Sequence, residues 1–251
     1  MSLEGKRVLL TGGAGGLGVL IHARLQARGA HVTVMDRQTS ALPGAFLRQD
    51  LSTPAGLDAA TAAAGEQDWD ILVNLAGIQY FGLIERQSSE HLIASYMVNL
   101  VAPARLIQAV LPRMKAHRSG QIVNIGSIFG SINFAHFVTY SSAKAGLRGL
   151  SQALRRELAG TGVDVTYIAP RAVRTPLNTD QVLAFAKLTK MQMDEPADIA
   201  DRIVTAIENR RRDVYFGGPE SVFVRLNALL PGLVDRALAA NDRKTAQLFV
   251  R

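Results

Sequence analysis

Arg7-Val8-Leu9-Leu10-Thr11-Gly12-Gly13-Ala14-Gly15-Gly16-Leu17-Gly18 is the stretch on which the reading of this chain turns. A β-rich apolar run leads straight into five glycines between positions 12 and 18, and helical apolar spacing follows from Leu17 to Arg28. Glycine between a strand and a helix lets the backbone turn sharply and approach phosphate oxygens, which the helix N-terminus then stabilises. Two registers fit a dinucleotide: Gly13, Gly15 and Gly18, or the wider Gly12, Gly16 and Gly18. No Lys-Ser/Thr pair follows these glycines, which excludes a lysine-bearing phosphate loop.

The rest of the chain continues the alternation. β-rich runs at 7–11, 31–36, 45–49, 71–76, 121–126, 163–168 and 214–216 are separated by segments with helical spacing at 17–28, 89–116, 139–159 and 196–210. This predicts an α/β fold: one Rossmann-type, doubly wound sheet of about seven mainly parallel strands with helices on both faces. No interior linker or repeat divides it, so residues 1–218 are read as a dinucleotide-binding and catalytic domain and residues 219–251 as its helical extension.

Composition narrows the function. Of 251 residues, 48% are apolar and 20% charged, as in an ordinary globular protein. The chain has no cysteine, so disulfides, thiolate metal sites and cysteine nucleophiles are excluded. Its five histidines lack metal-ligand spacing, and no metal is expected. The formal charge of +7 raises the question of nucleic acid, but the basic clusters at 113–118 and 210–212 are short and lack aromatics for base stacking. No apolar run is read as approaching the ~20 residues of a membrane span, and no signal segment is read at the N-terminus; a cytoplasmic protein is expected.

Asp36 closes the second β-rich run, where a carboxylate accepts hydrogen bonds from an adenosine ribose. It favours NAD(H), because a 2′-phosphate would meet like charge. Arg37 beside it could hold such a phosphate, so NADP(H) stays open. Farther along, Tyr140-Ser141-Ser142-Ala143-Lys144 sets a phenol and an ammonium one helical turn apart. A neighbouring ammonium lowers a phenol's pKa toward useful acid/base strength. Ser127 ends the fifth run, on the carboxyl edge where open α/β sheets bind ligands.

Taken together, these residues resemble the classical branch of the short-chain dehydrogenase/reductase family from about Arg7 to Pro176. The wider glycine register is similar to the family's Thr-Gly-x-x-x-Gly-x-Gly, which implies that Thr11, Gly12, Gly16, Leu17 and Gly18 hold the cofactor diphosphate. Asp36 and Arg37 fall at its ribose position, and Asp50-Leu51 resembles its adenine contact. Asn74-Leu75-Ala76-Gly77 is similar to its Asn-Asn-Ala-Gly, with leucine for the second asparagine. Asn99, Ser127, Tyr140 and Lys144 match its catalytic tetrad in order and spacing. The resemblance implies that Asn99 supports a water-borne proton relay, and that Pro170, Val173 and Thr175 lie along the nicotinamide. Pro170-Arg171 stands where the family has Pro-Gly, so that loop is expected to bend differently.

The implied reaction is hydride transfer between nicotinamide and a secondary alcohol or ketone, with Tyr140 as general acid/base. Phe129, Phe134, Phe137, Leu177 and Phe185 are the candidate apolar substrate pocket, and residues 176–194, with Met191 and Met193, the candidate lid. A 3-oxoacyl-thioester reductase using NADPH is the nearest alternative, with Arg171 and Arg174 available to an acidic carrier; a cofactor-binding sensor or scaffold is another. A homodimer or homotetramer is expected. The apolar stripe Val222, Leu226, Leu229, Leu230, Leu233 and Ala237, broken at Pro231-Gly232, has three candidate uses: pocket closure, subunit packing or peripheral membrane contact.

Overall fold

The computed structural model describes residues 2–39 and 41–249. Seven strands form one sheet: β1 (Arg7–Thr11), β2 (His31–Asp36), β3 (Ala45–Arg48), β4 (Ile71–Asn74), β5 (Gly120–Ile125), β6 (Val163–Ala169) and β7 (Asp213–Tyr215). Their spatial order is β3-β2-β1-β4-β5-β6-β7, and every neighbouring pair is parallel. Chain order reverses between β1 and β4. At such a point the connections leave toward opposite faces and open a crevice at the carboxyl ends of the strands.

Successive strand side chains face opposite ways, so each central strand feeds two cores. Val8 and Leu10 pack with Ile21 and Leu25 of α1 (Gly16–Ala27), while Leu9 faces the other way, toward Leu57 of α2 (Pro54–Gly65). Residues Ser89–Ala116 form one continuous helix made of α3 (Ser89–Tyr96), a π turn (Met97–Val101) and α4 (Ala102–Ala116). Leu106 and Val110 of α4 join the Leu9 core with Leu154 of α5 (Val138–Glu157). The chain continues through α6 (Asp180–Thr189) and α7 (Pro196–Glu208), and Ile199, Ile203 and Ile207 of α7 complete the core against Val8 and Leu10.

Two sequence expectations need correction here. The Ser89–Ala116 helix is long and apolar enough, at a mean hydropathy of 1.3 over its richest stretch, to pass the length test for a membrane span. Part of that apolarity is core packing, by the buried Leu106, Ile107 and Val110. The second concerns α2, which the β-α alternation had left blank between the third and fourth runs. Thr53 caps it, its hydroxyl accepting from the Gly56 amide at 3.1 Å, and Leu57, Ala60 and Ala64 form its narrow buried side.

The extension folds as α8 (Gly218–Leu229) and α9 (Pro231–Ala246), followed by a short 3-10 turn (Gln247–Phe249). The break falls at Pro231, where the sequence stripe is interrupted. Val224 and Val234 are buried against Ile128 and Ile132, and Asn227 Nδ2 donates to the Ser131 carbonyl at 2.8 Å. The extension therefore packs on the catalytic side of the sheet, while Leu229, Leu230 and Leu233 stay exposed.

Candidate active site

A cleft of about 600 Å³ runs along the carboxyl ends of the strands, from the glycine turn to the lid. All three glycines of the wider register are required by geometry, as is Gly13, where a β-carbon would lie 2.7 Å from Val34 Cγ1. Gly12 has φ +71°, and a β-carbon there would lie 2.8 Å from Ala76 Cα. One on Gly16 would lie 2.7 Å from Pro176 Cδ, and one on Gly18 would strike the Gly12 carbonyl oxygen. Gly15, by contrast, has ordinary room at 3.5 Å. Helix α1 begins at Gly16 with no side-chain cap and no acidic residue in its first turn. Its first amides are left to a ligand, and the helix dipole favours an anionic one.

Around this cradle, Asp36 Oδ2 accepts from the Ala14 amide and Oδ1 from the Gln38 amide, both at 3.1 Å. The carboxylate is thereby fixed at the cleft edge, with exposed Arg37 beside it. Asp50 accepts from the Ser52 hydroxyl and amide, which hold its carboxyl below the usual range, and Leu51 lines the same end. Leu17, Ala76, Gly77, Pro170, Val173 and Thr175 also line the cleft.

Thr11 and Asn74 stand behind it. The Thr11 hydroxyl oxygen accepts from the Leu75 and Ala76 amides, both at 3.1 Å, tying the end of β1 to the turn after β4. Asn74 Nδ2 donates to Asn124 Oδ1 at 2.8 Å, and Asn124 Nδ2 to Ser151 Oγ at 2.9 Å, a buried polar chain joining β4 and β5 to α5. Neither side chain is among those lining the cleft; both tie strand ends together behind it.

At the far end, Ser127, Tyr140 and Lys144 converge on the cleft. Tyr140 and Lys144 project from one face of α5, and Lys144 Nζ lies 5.8 Å from the centre of the phenol ring. Ser127 Oγ accepts from the Phe129 amide at 3.1 Å, and its hydroxyl acts on the phenol to lower its pKa slightly. Lys144 Nζ donates to the Ile125 carbonyl at 2.9 Å. Burial raises the Tyr140 phenol to about 12, against a smaller lowering by the Ser127 hydrogen bond, and lowers the Lys144 ammonium to about 8. The sequence expectation was that Lys144 would lower the phenol. Desolvation raises it instead, because both groups lie in low dielectric and each favours its neutral form.

Asn99 lies outside the cleft lining, in the π turn, a local widening of the helix that recurs at functional sites. Its Nδ2 donates to the carbonyls of Ile78 and Ser95 at 2.7 and 2.8 Å, and its buried Oδ1 has no partner. A β-carbon on Gly77 would lie 3.0 Å from that oxygen and 3.7 Å from Lys144 Nζ, so Gly77 leaves open the space between the two. An unpaired buried oxygen facing an ammonium across that gap is suited to a proton relay.

Phe129, Phe137, Leu177 and Phe185 line the substrate end. Phe134 does not. It stacks on Phe129 at 4.4 Å and supports that wall from behind. Arg171 takes no left-handed backbone; its guanidinium grips Asp194 in two hydrogen bonds and reaches Gln192 at 3.1 Å. This fork closes the lid segment at its base, and Arg174 pairs loosely with Glu195 at 3.7 Å. Gln79 escaped the sequence reading. Its Nε2 donates to the Leu177 carbonyl at 2.7 Å, linking the β4 turn to the lid, and no sequence signal marks a glutamine for that contact.

The sequence profile of short chain dehydrogenases matches residues 6–184. This chain belongs to the short-chain dehydrogenase family. It is 32% identical over 228 residues to a ketoacyl reductase, HetN, of Nostoc sp., covering 85% of this chain and 79% of that one. It is 30% identical over 240 residues to the 3-oxoacyl-[acyl-carrier-protein] reductase FabG of Vibrio cholerae, covering 89% and 94%. Among solved structures, a short-chain dehydrogenase from Sphingobium yanoikuyae in complex with NADPH superposes with a TM-score of 0.76 at 26% identity, covering 92% and 95%. As a short-chain dehydrogenase the chain is an NAD(P)-dependent oxidoreductase. The glycine cradle and the uncapped α1 fit a bound dinucleotide.

Proposed function

We propose that this enzyme interconverts a ketone and a secondary alcohol borne on an apolar body, with NAD(H) as the preferred coenzyme. The observation that carries this reading is the convergence of Ser127, Tyr140 and Lys144 on an aromatic-walled end of the cleft. The bound nicotinamide supplies or accepts the hydride. In reduction Tyr140 gives its phenolic proton to the developing alkoxide, while Ser127 donates a hydrogen bond to the same oxygen. Lys144 holds the cofactor ribose and passes a replacement proton to the phenol, fed across the gap toward Asn99. In oxidation the proton runs the other way. Asp36, pinned between two amides, supports NAD(H), because it cannot swing away from a 2′-phosphate.

A 3-oxoacyl thioester is the second reading, favoured by the names of the two relatives and compatible with the apolar walls. Against it, Arg171 is occupied by Asp194. We further infer a homo-oligomer, since Ile93, Val101 and Val138 stand exposed along the α3 to α5 side.

The test is a panel of ketones, secondary alcohols and an acetoacetyl thioester, read by nicotinamide absorbance with both coenzymes. Turnover of simple ketones, faster with NADH, is expected; exclusive turnover of the thioester with NADPH would move the assignment to the second reading. Asp36→Ala should raise the NADPH to NADH ratio at least tenfold. Tyr140→Phe should leave less than a tenth of wild-type kcat with cofactor Kd unchanged, and retention of more would remove the role given to the phenol.

A further inference from the structure

The C-terminal turn reaches back to the reaction end of the molecule. Phe249 sits 5.1 Å, centre to centre, from Phe81 and 4.7 Å from His136, and Arg86 Nη1 donates to the Phe249 carbonyl at 3.5 Å. Phe81 in turn lies 4.7 Å from Phe137 and 5.3 Å from Phe185. These two rings are pocket walls from separate elements: Phe137 stands at the start of α5, three residues before Tyr140, and Phe185 belongs to lid helix α6. Phe81 and Phe249 themselves do not line the cleft. They form a second aromatic layer behind it, and α9 packs alongside α6.

We propose that Phe249 is a specificity-determining positioning residue, the outer brace of an aromatic stack that fixes the spacing of Phe137 and Phe185 and so the length of apolar chain the pocket accepts. This rests on the carbonyl-reductase reading for its substrate class. Packed interiors leave no slack, so a void behind Phe81 lets that ring retreat and the wall follow. A hydrophobic pocket that gains depth gains affinity for each further methylene it can bury, about tenfold or more apiece. The lid loses its backing at the same time.

The experiment compares wild type, Phe249→Ala and Phe249→Leu on straight-chain 2-ketones of increasing length. It measures kcat and KM with both coenzymes and, independently of turnover, Kd by calorimetry. Limited trypsin digestion reports cleavage at Lys187 and Lys190, which stand exposed on and just after α6. Phe249→Ala should move the length optimum to chains at least two methylenes longer, with a tenfold gain there expressed in KM and Kd, and kcat for the shortest ketone within twofold of wild type. Lid cleavage should quicken several-fold, and Phe249→Leu should restore most of both. A uniform change along the series, or an unchanged length profile at any cleavage rate, overturns the proposal. Binding of ketones by wild type without turnover would instead overturn the function assigned above, leaving the Kd series to judge Phe249. A wild type that binds no ketone would overturn both.

Discussion

Lys144 is buried and donates to the Ile125 carbonyl, and that arrangement trades stability for chemistry. Its ammonium falls from an ordinary 10.5 to about 8 through desolvation. Between those two values the unfolded chain holds more protons than the folded one, so stability rises with pH across that window and the full penalty applies below it. The penalty is about 3 kcal/mol, less whatever the hydrogen bond would lose on replacement. Lys144→Met should therefore unfold at higher urea than wild type at pH 7, by about 1–3 kcal/mol, with the gap shrinking toward pH 10, and it should not turn over. Equal stabilities at pH 7 would contradict the burial argument. The same titrations set the pH dependence of the reaction: Tyr140 keeps its proton up to about 12 and Lys144 its charge below about 8. Ketone reduction should run best below pH 8 and alcohol oxidation should rise above it, as paired rate profiles would show. At this scale the sequence was legible wherever chemistry restricts residue type. The glycines that a β-carbon would block, the phenol, the ammonium and the serine all announced themselves. Thr11 and Asn74 did not disclose their bonds across the sheet, because their partners Ala76 and Asn124 are brought to them by β4 and β5.

Among the elements, the lid is the part that the sequence named without seeing how it is held. Arg171 and Asp194 are twenty-three positions apart, and only the parallel bridge between Val173 and Asp194 brings them together. The ion pair is about four-fifths shielded from solvent, and its fork geometry makes it a hinge clamp rather than a loose surface contact. Arg171→Ala should loosen the 176–194 segment, raising KM for the ketone several-fold while changing kcat less than threefold; steady-state kinetics at saturating coenzyme would read it. The inner strands were legible because buried parallel strands are runs of apolar residues. Helix α2 was not, since Leu57, Ala60 and Ala64 make too faint an apolar stripe among the other alanines around them. The Ser89–Ala116 helix reads as one periodic segment in sequence, yet its π turn, which carries Asn99, has no compositional mark.

For the molecule as a whole, the cofactor cleft crosses the boundary between the β1 and β4 halves of the sheet, so a ligand there joins both halves. Coenzyme at a hundred times its Kd should add about 2.7 kcal/mol, read as a rise in Tm of about 5–10 °C in thermal melts. Gly18→Val, whose side chain would strike the Gly12 carbonyl, should lose that rise. The overall architecture followed from the β-α alternation, whereas the path of the extension back to Phe81 depended on contacts that no local pattern encodes. The strand order has one more effect, on how the protein is made. Val8 pairs with Ile71, sixty-three positions later, and β4 in turn waits for β5. The middle of the finished sheet leaves the ribosome first and spends synthesis with one edge bare. Val8, Leu9 and Leu10 are then an aggregation hazard on the nascent chain, and slower translation after β1 would lengthen the exposure that chaperones must cover.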